Sequence, residues 1–340
     1  MMRKRNRAAL LLVAGLWVWT GIGVGAVNLS GNDTNYTVIV QEGDIYEAVY
    51  GNQDVLDSAG NVAGGNVTIQ GGQITSAVYG GFVSNGTAVK VSDNVVEMHG
   101  GQVGQNGQGG VYGGYGKAEI AGNQVIIDGD SEIAYAVFGG YGEISGNTAS
   151  VHDNTVTIGG NAVIGDNAVY GNIVGGAGNA MNNSVTIQDN AVIRADISGG
   201  KNTLIDGDVK NNAVYIKGGT ISEGYMVFGG YSLNLNGQHT DVTGNLVEIS
   251  GGAIKGMVFG GAGYHLVSDN KVILKGNANV EAAVLAGGTS FWDNAEIKNN
   301  SLVIDGWCGG NVLDVSDFST IQLNNSDYLK KARKYGQITG

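Results

Sequence analysis

The chain has 340 residues, only 14% of them charged, and its net charge is −12 at pH 7. Such an acidic surface argues against nucleic acid as a partner, because it repels the phosphate backbone. The 61 glycines and the absence of proline exclude a collagen-like chain and are untypical of a disordered linker. Cys308 is the single cysteine, so an intrachain disulfide is excluded as well.

Residues 1–26 have the pattern of a secretory signal peptide. Basic residues within 3–7 precede an uncharged apolar run that starts at Ala8, and small residues end at Ala26, where cleavage is expected. The alternative is an uncleaved membrane anchor, because residues 8–27 carry no charge. Glycines near the end of the run favour cleavage.

Residues 27–48 contain an alternating stretch, Tyr36-Thr-Val-Ile-Val40. Alternation with a period of two predicts a strand. We expect an N-terminal cap strand, which starts the stack of strands and covers its open end.

Residues 49–310 are organised by the motif Asn-x-Val-x-Ile-x-Gly-Gly, which returns about every 30 residues. Positions two apart face the same side of a strand, so the asparagine and the two apolar residues of the motif point in one direction. Such a face is too small to be buried alone, so the copies are expected to stack as coils. The first copy has Gly65 in the asparagine position. The asparagine column comprises Asn94, Asn123, Asn154, Asn183, Asn212, Asn245, Asn270 and Asn300.

Two further markers alternate with this motif. One is a short apolar pair, as in Gln73-Ile74 and Val163-Ile164. The other is Val-Tyr-Gly-Gly with its variants, which we place at 49–52, 78–81, 111–114, 137–140, 169–172, 197–200, 227–230, 258–261 and 284–287. The three markers predict an all-β chain folded as a single-stranded parallel β-helix, or β-solenoid, of about nine coils with three short strands each.

Side chains that recur at the same place in each coil are expected to stack. Buried asparagines would pass amide hydrogen bonds from coil to coil and so form an internal ladder. The aromatic residues of the Val-Tyr-Gly-Gly marker are expected to stack likewise. This aromatic column comprises Tyr50, Tyr79, Tyr112, Phe138, Tyr170, Phe228 and Phe259, with breaks at Ser198 and Leu285.

Most length variation falls between the Val-Tyr-Gly-Gly marker and the next asparagine. Lys201–Lys210 and Tyr231–Thr243 are examples, and we expect them to be inserted loops at one edge of the rod. Residues 311–340 leave the pattern and are predicted to form a C-terminal cap and a basic tail. Within it, residues 328–335 fit a solvated terminus better than a contact with an acidic surface.

A signal peptide followed by these repeats resembles the passenger regions of bacterial autotransporters and related β-helical adhesins, over about residues 1–310. The resemblance implies export through the inner membrane, followed by display at the cell surface or release outside the cell. It also implies a following outer-membrane β-barrel, for which the residues after the last repeat are too few. A barrel is therefore expected only if the chain is a fragment. Without a translocator, the periplasm is the expected location.

The residues most suited to a reaction are Glu97, His99 and Asp128. Glu97 and His99 alternate with Val96 and Met98 and so face outward, while Asp128 occupies the His99 column one coil later, about 5 Å away. Carbohydrate-cleaving β-helices place acids on such a face, but a solvent-exposed ion pair has the same pattern. The histidines lack metal-ligand spacing, and neither a metal nor another cofactor is predicted.

The regular interior, with no concentrated catalytic set, favours a secreted, non-enzymatic adhesin or structural display stalk. Its expected partner is an unidentified glycan or protein of a host or cell surface. The alternative is a carbohydrate-active β-helix enzyme, of the polysaccharide lyase or glycosidase type. A third hypothesis is a matrix protein that associates end to end through its coils.

Overall fold

The described residues of the computed structural model form a parallel β-solenoid, which confirms the predicted fold. Every secondary-structure element among them is a β-strand. Strands of successive coils pair in parallel and in register, so Val96 lies beside Val125 and Met98 beside Ile127. The structure describes residues 27–84, 86–105, 109–142, 150–165, 171–202, 207–233, 240–290, 295–310, 313–324 and 338–339.

Three sheets, here named A, B and C, make up the sides of the rod. Sheet A has 18 strands, namely Val27–Ser30, Ile45–Gln53, Gln73–Phe82, Gln102–Val103, Gly110–Gly116, Glu132–Ile133, Ala136–Gly142, Val163–Ile164, Gly171–Ala177, Val192–Ile193, Ala195–Asn202, Thr220–Ile221, Met226–Ser232, Ala253–Ile254, Met257–Gly263, Val284–Ser290, Leu313–Ser316 and Ile338–Thr339. Sheet B has 11 strands, namely Thr37–Val40, Asn66–Ile69, Val95–Met98, Gln124–Ile127, Thr155–Ile158, Ser184–Ile187, Ala213–Ile216, Leu246–Ile249, Lys271–Lys275, Ser301–Asp305 and Thr320–Leu323. Sheet C is 9-stranded, with Asn61–Ala63, Lys90–Ser92, Glu119–Ala121, Ser150–His152, Asn179–Met181, Val209–Lys210, Asp241–Thr243, Leu266–Ser268 and Glu296–Lys298.

A coil runs from sheet B through a glycine corner into sheet A, and returns through sheet C. The valine and isoleucine positions of sheet B point inward, and from Val67 to Ile304 their exposure is 0 or 1%. Sheet A faces them with its own column, which includes Val78 and Val111, both 0% exposed. Each fully buried side chain of this kind contributes about 1.5–3 kcal/mol, so the stacked columns supply the main stabilisation. β-Branched residues suit this narrow interior because they pack well on a pleated surface.

Sheet C was not anticipated, and it contains the ends of the two predicted inserted loops, whose middle parts, 203–206 and 234–239, lie outside the described residues. Val209–Lys210 and Asp241–Thr243, at the ends of those stretches, are strands of sheet C. Lys201 and Tyr231, at their beginnings, belong to sheet A. Each sheet C strand has only two or three residues, and all of them except Glu296–Lys298 bury one apolar side chain fully. Such a strand is too short for an alternating pattern to reveal it.

The positions of two Val-Tyr-Gly-Gly markers were wrong. Val137 pairs with Ile173 and Phe138 with Val174, so the marker placed at 169–172 belongs at 173–176, and Tyr170 lies outside the described residues. The marker placed at 284–287 is shifted by one residue, because Val258 pairs with Leu285. The glycine that faces the asparagine ladder sets the register of each marker, and the local sequence alone does not identify which glycine this is.

A left-handed residue ends each passage through sheet C, directly before the ladder position. Asp93, Asp153 and Asp269 have φ of 56°, 56° and 57° there, while other coils use asparagine or glycine. Asparagine, aspartate and glycine tolerate this conformation better than other residues. The three aspartates therefore have a backbone role at this corner.

The two ends of the chain are described only in part. Residues 27–48 contain Val27–Ser30 and Thr37–Val40, which pair in parallel with Ile45–Gln53 and Asn66–Ile69. The predicted signal peptide at 1–26 and the basic residues at 328–335 lie outside the described residues. In the described part, no helix has the length and apolar content needed to cross a bilayer.

Candidate functional site

The asparagines of the repeat form a continuous hydrogen-bonded ladder inside the rod. Asn183 Nδ2 donates to Asn212 Oδ1 at 3.0 Å, and Asn212 Nδ2 donates to Asn245 Oδ1 at 3.1 Å. The same acceptor atoms take the backbone N–H of the preceding ladder residue, at 3.0 Å in both cases. The second amide proton goes to a sheet C carbonyl, as from Asn212 to Ala180 at 3.0 Å. Ladder residues are at most 1% exposed, so this network satisfies polar groups that are otherwise costly to bury.

The ladder explains the second glycine of the Val-Tyr-Gly-Gly marker. A Cβ atom on Gly114 would lie 2.6 Å from Asn123 Nδ2, and one on Gly230 would lie 2.6 Å from Asn245 Cγ. The asparagine amide occupies the space that a side chain would need. The two motifs, far apart in each repeat, are therefore halves of one packing unit.

The first coil contains the same packing unit with its two residues exchanged. Gly65 stands in the asparagine column, and Asn52 stands in the glycine column beside Gly81. Asn52 is 1% exposed and donates to the Ala63 carbonyl at 2.9 Å, much as Asn154 donates to His152 at 2.9 Å. The interior amide is thus retained when it is supplied from sheet A.

Two stacked columns of aromatic rings, here called the aromatic seam, lie on the outer side of the same glycine-containing corner. Tyr79 stacks on Tyr50 at 5.2 Å and on Tyr112 at 5.0 Å between ring centroids. A second column, missed in the sequence, stacks Tyr115 on Phe82 at 5.3 Å. The columns meet edge to face, and burial raises the pKa of the Tyr79 and Tyr112 hydroxyls above their ordinary value. We interpret the seam as a packing element, because its rings contact one another along and across the coils.

Polar residues interrupt the seam near the middle of the rod. Ser198 pairs with Phe228 and Lys201 with Tyr231, and the Lys201 amine lies 5.5 Å from the Tyr231 ring centroid. Burial lowers the pKa of the Lys201 amine, although the nearby Asp196 carboxylate opposes this shift. Burial likewise raises the pKa of the Asp196 carboxyl group, although a hydrogen bond of 2.9 Å from the Met226 N–H opposes this shift.

An open groove of about 680 Å³ lies on the outer surface, beside the glycine corner that follows sheet B in the first coils. Its described lining contains no lysine or arginine. A smaller recess of about 300 Å³ shares Gln102 and Glu132 with it and includes Arg194. The groove is lined by carboxylates and amides that include Glu42, Asp44, Asp130, Glu132, Gln73 and Gln102.

The three reactive candidates from the sequence lie together at the rim of this groove. His99 Nδ1 is 2.7 Å from Asp128 Oδ1, and His99 Nε2 is 4.0 Å from Glu97 Oε2. Their side chains are 39–44% exposed, and His99 also lines the groove. A histidine between two carboxylates can exchange protons, but exposed pairs of this kind are common on protein surfaces. His152 and His265 contact carboxylates in the same way, at 2.7 Å from Asp153 and 2.8 Å from Asp241.

Within the described ranges, no group of three or more histidine, cysteine, aspartate and glutamate side chains is placed to hold a metal ion. Comparison of the chain with family models, curated proteins and solved structures finds no match.

Proposed function

We propose that the chain is an exported β-helical adhesin or display stalk that binds a surface glycan or protein without catalysis. The observation that carries the proposal is the division of the coil between an interior and an open polar groove. The asparagine ladder and the apolar columns occupy the interior, where they hold successive coils in one register. The groove is open to solvent and spans several coils, as a binding surface on a rigid stalk would.

The groove chemistry favours a neutral or cationic ligand. Carboxylates and amides accept and donate hydrogen bonds to hydroxyl groups, and Ile45, which is 60% exposed, adds an apolar contact at its edge. Polymers of uronic acids would meet Glu42, Asp130 and Glu132 with no lysine or arginine in the described lining to offset the repulsion. Such polymers are therefore poor ligands for this groove, which argues against a lyase activity on them.

Binding is tested with the purified full chain on an array of neutral, cationic and anionic glycans. We expect retention of neutral or amino-group-bearing glycans, and a loss of this signal in the double variant Asp130→Asn, Glu132→Gln. Glu223→Gln removes an exposed carboxylate outside the groove lining and is the matched control. Equal losses in both variants, or preferential binding of uronic-acid polymers, would contradict the proposal.

Export is a separate part of the proposal, supported by the basic and apolar pattern of residues 1–26. Mass spectrometry of the chain recovered outside the inner membrane should give Val27 as the first residue. A chain that keeps residues 1–26 on the membrane would instead support the uncleaved anchor.

The contact between His99 and Asp128 supports a second candidate, a glycosidase-type activity at the groove rim. Such an enzyme needs one carboxyl group as acid and another as base or nucleophile, for which Glu97 and Asp128 are the available pair. Release of reducing ends from a polysaccharide panel, abolished by both Glu97→Gln and Asp128→Asn, would establish it. Binding that both variants retain, without release of reducing ends, would favour the adhesin.

A further inference from the structure

The smaller recess continues the polar groove along the rod and contains an arginine. It shares Gln102 and Glu132 with the groove, so the two form one continuous surface. Among the described residues that line either of them, Arg194 is the one lysine or arginine. Glu132 pairs with Val163 and Val163 with Val192, so Arg194 lies two coils beyond Glu132, about 10 Å along the rod. The surface therefore changes from acidic to basic in one direction.

The recess exists because small residues precede Arg194 in one column. The N–H groups of Gly104, Ala134, Gly165 and Arg194 each donate to the preceding coil at 2.8 or 2.9 Å, which stacks these residues along the rod. The first three carry at most a methyl group, so the column leaves room beside the Arg194 side chain. Gly165 is required in this place, because its φ is 85° and a Cβ atom would collide with the Arg194 carbonyl oxygen.

The Arg194 guanidinium makes no ion pair and no side-chain hydrogen bond in the described part of the chain. Glu132, the carboxylate of the recess, instead accepts a hydrogen bond from Gln102 Nε2 at 2.9 Å. The Lys275 amine, by contrast, contacts Glu248 at 3.0 Å. A guanidinium presents a planar fork of donors, which fits a carboxylate through two parallel hydrogen bonds. The recess can therefore accept one anionic group of a ligand.

We propose that the groove and the recess together bind an extended, mostly neutral oligosaccharide with a single carboxylate at the end that reaches Arg194. This inference rests on the proposed function, because it names the ligand class of the same surface. The ligand binds in one direction, since its charged end is attracted at Arg194 and repelled at Asp44 and Asp130. A polymer with a carboxylate on every sugar remains a poor ligand, because most of its charges would lie against the acidic groove.

The surface between the two ends suits the uncharged part of such a ligand. Gln102 and Glu132 offer hydrogen bonds to sugar hydroxyl groups, and the partly exposed Val163 offers an apolar contact. From Ile45 to Val192 the paired strands make five coil steps, which is about 24 Å along the rod. A ligand that contacts both ends is therefore a chain of several sugars.

The test compares neutral and acidic forms of one neutral hexasaccharide that the glycan array retains, with binding to the full chain measured by isothermal titration calorimetry. One acidic form carries its carboxylate at the reducing end, as the aldonic acid, and the other at the non-reducing end, as a terminal uronic acid. The alditol is the uncharged control for the opened ring. We expect one acid to bind about five- to tenfold more tightly than its neutral counterpart, and the other acid to bind more weakly.

Arg194→Gln should remove the gain of the favoured acid and leave the affinity for the neutral sugar within about twofold. Lys255→Gln is the matched control and should change neither affinity. Lys255 is exposed and lies two coils after Arg194 in the same column, but it does not line the recess. Circular dichroism of both variants should be unchanged, because neither side chain is buried.

Equal affinities for the two acids, or equal losses in Arg194→Gln and Lys255→Gln, would overturn the carboxylate site while leaving the proposed function intact. If the array retains no neutral glycan at all, the proposed function fails together with this inference. The two failures are therefore distinguished by whether the neutral hexasaccharide binds.

Discussion

Replacement of Asn212 by leucine tests the internal ladder most directly. The substitution removes the acceptor of the Asn183 N–H and of one Asn183 amide proton, each bonded at 3.0 Å. It also removes the donor to Asn245 Oδ1 at 3.1 Å and to the Ala180 carbonyl at 3.0 Å. Leaving a buried polar group unpaired costs about 1–3 kcal/mol, and leucine regains about 1 kcal/mol through apolar burial. We therefore expect a net loss of about 2–4 kcal/mol in the free energy of unfolding.

The matched control is Asn190→Leu, which alters the same chemical group outside the interior. Asn190 is exposed and its Nδ2 donates to Asn161 Oδ1 at 3.3 Å, so the expected change is within about 0.5 kcal/mol. Both variants are compared by urea unfolding followed by circular dichroism, with the slope checked because solenoids can unfold in parts. Equal midpoints for the Asn212 and Asn190 variants would refute the argument that the ladder stabilises the rod.

Three further predictions concern the corner and the seam, all measured by urea unfolding. Gly230→Ala should lower the free energy of unfolding by about 1–3 kcal/mol, because the added Cβ would lie 2.6 Å from Asn245 Cγ. The double variant Gly230→Asn, Asn245→Gly copies the arrangement of the first coil, so it should recover part of the stability that either single change loses. Tyr79→Ala, which loses ring partners on both sides, should cost about 2–4 kcal/mol and more than Tyr50→Ala. Burial raises the pKa of Tyr112, so the unfolded chain releases that proton first and stability should fall as pH rises above 10.0, less steeply in Tyr112→Phe.

The interior was predictable because its pattern is local and repeated. Val96, Met98 and Asn94 lie two residues apart, and this spacing alone places them on one face of a strand. The coil length also predicted that Asp128 lies beside His99, because these residues are 29 positions apart, which is one coil. Repetition thus gave contacts between coils without any knowledge of the tertiary structure.

Features that depend on more than one side of the coil were not predictable in this way. Val209 and Val242 fill sheet C as single apolar residues, which no periodic pattern marks. The groove likewise combines Asp44 at the end of one coil with Gln102 and Asp130 from later ones, so its shape arises only from stacking. The exposed Ile297 could not be recognised either, because its position matches that of the buried Val267.

The exchanged pair in the first coil shows what the repeat actually specifies. If the asparagine column were required for itself, Gly65 would leave an interior gap, yet Asn52 supplies an amide to the Ala63 carbonyl from the opposite strand. What each coil requires is one amide and one missing side chain at this corner, and either strand can provide either part. The spacing between the two motifs can therefore vary with the connecting residues, as it does where successive ladder residues are 25 or 33 positions apart. Lengths change on both sides of this unit, in the turns before sheet A as well as around sheet C, while the corner that fixes the register stays the same.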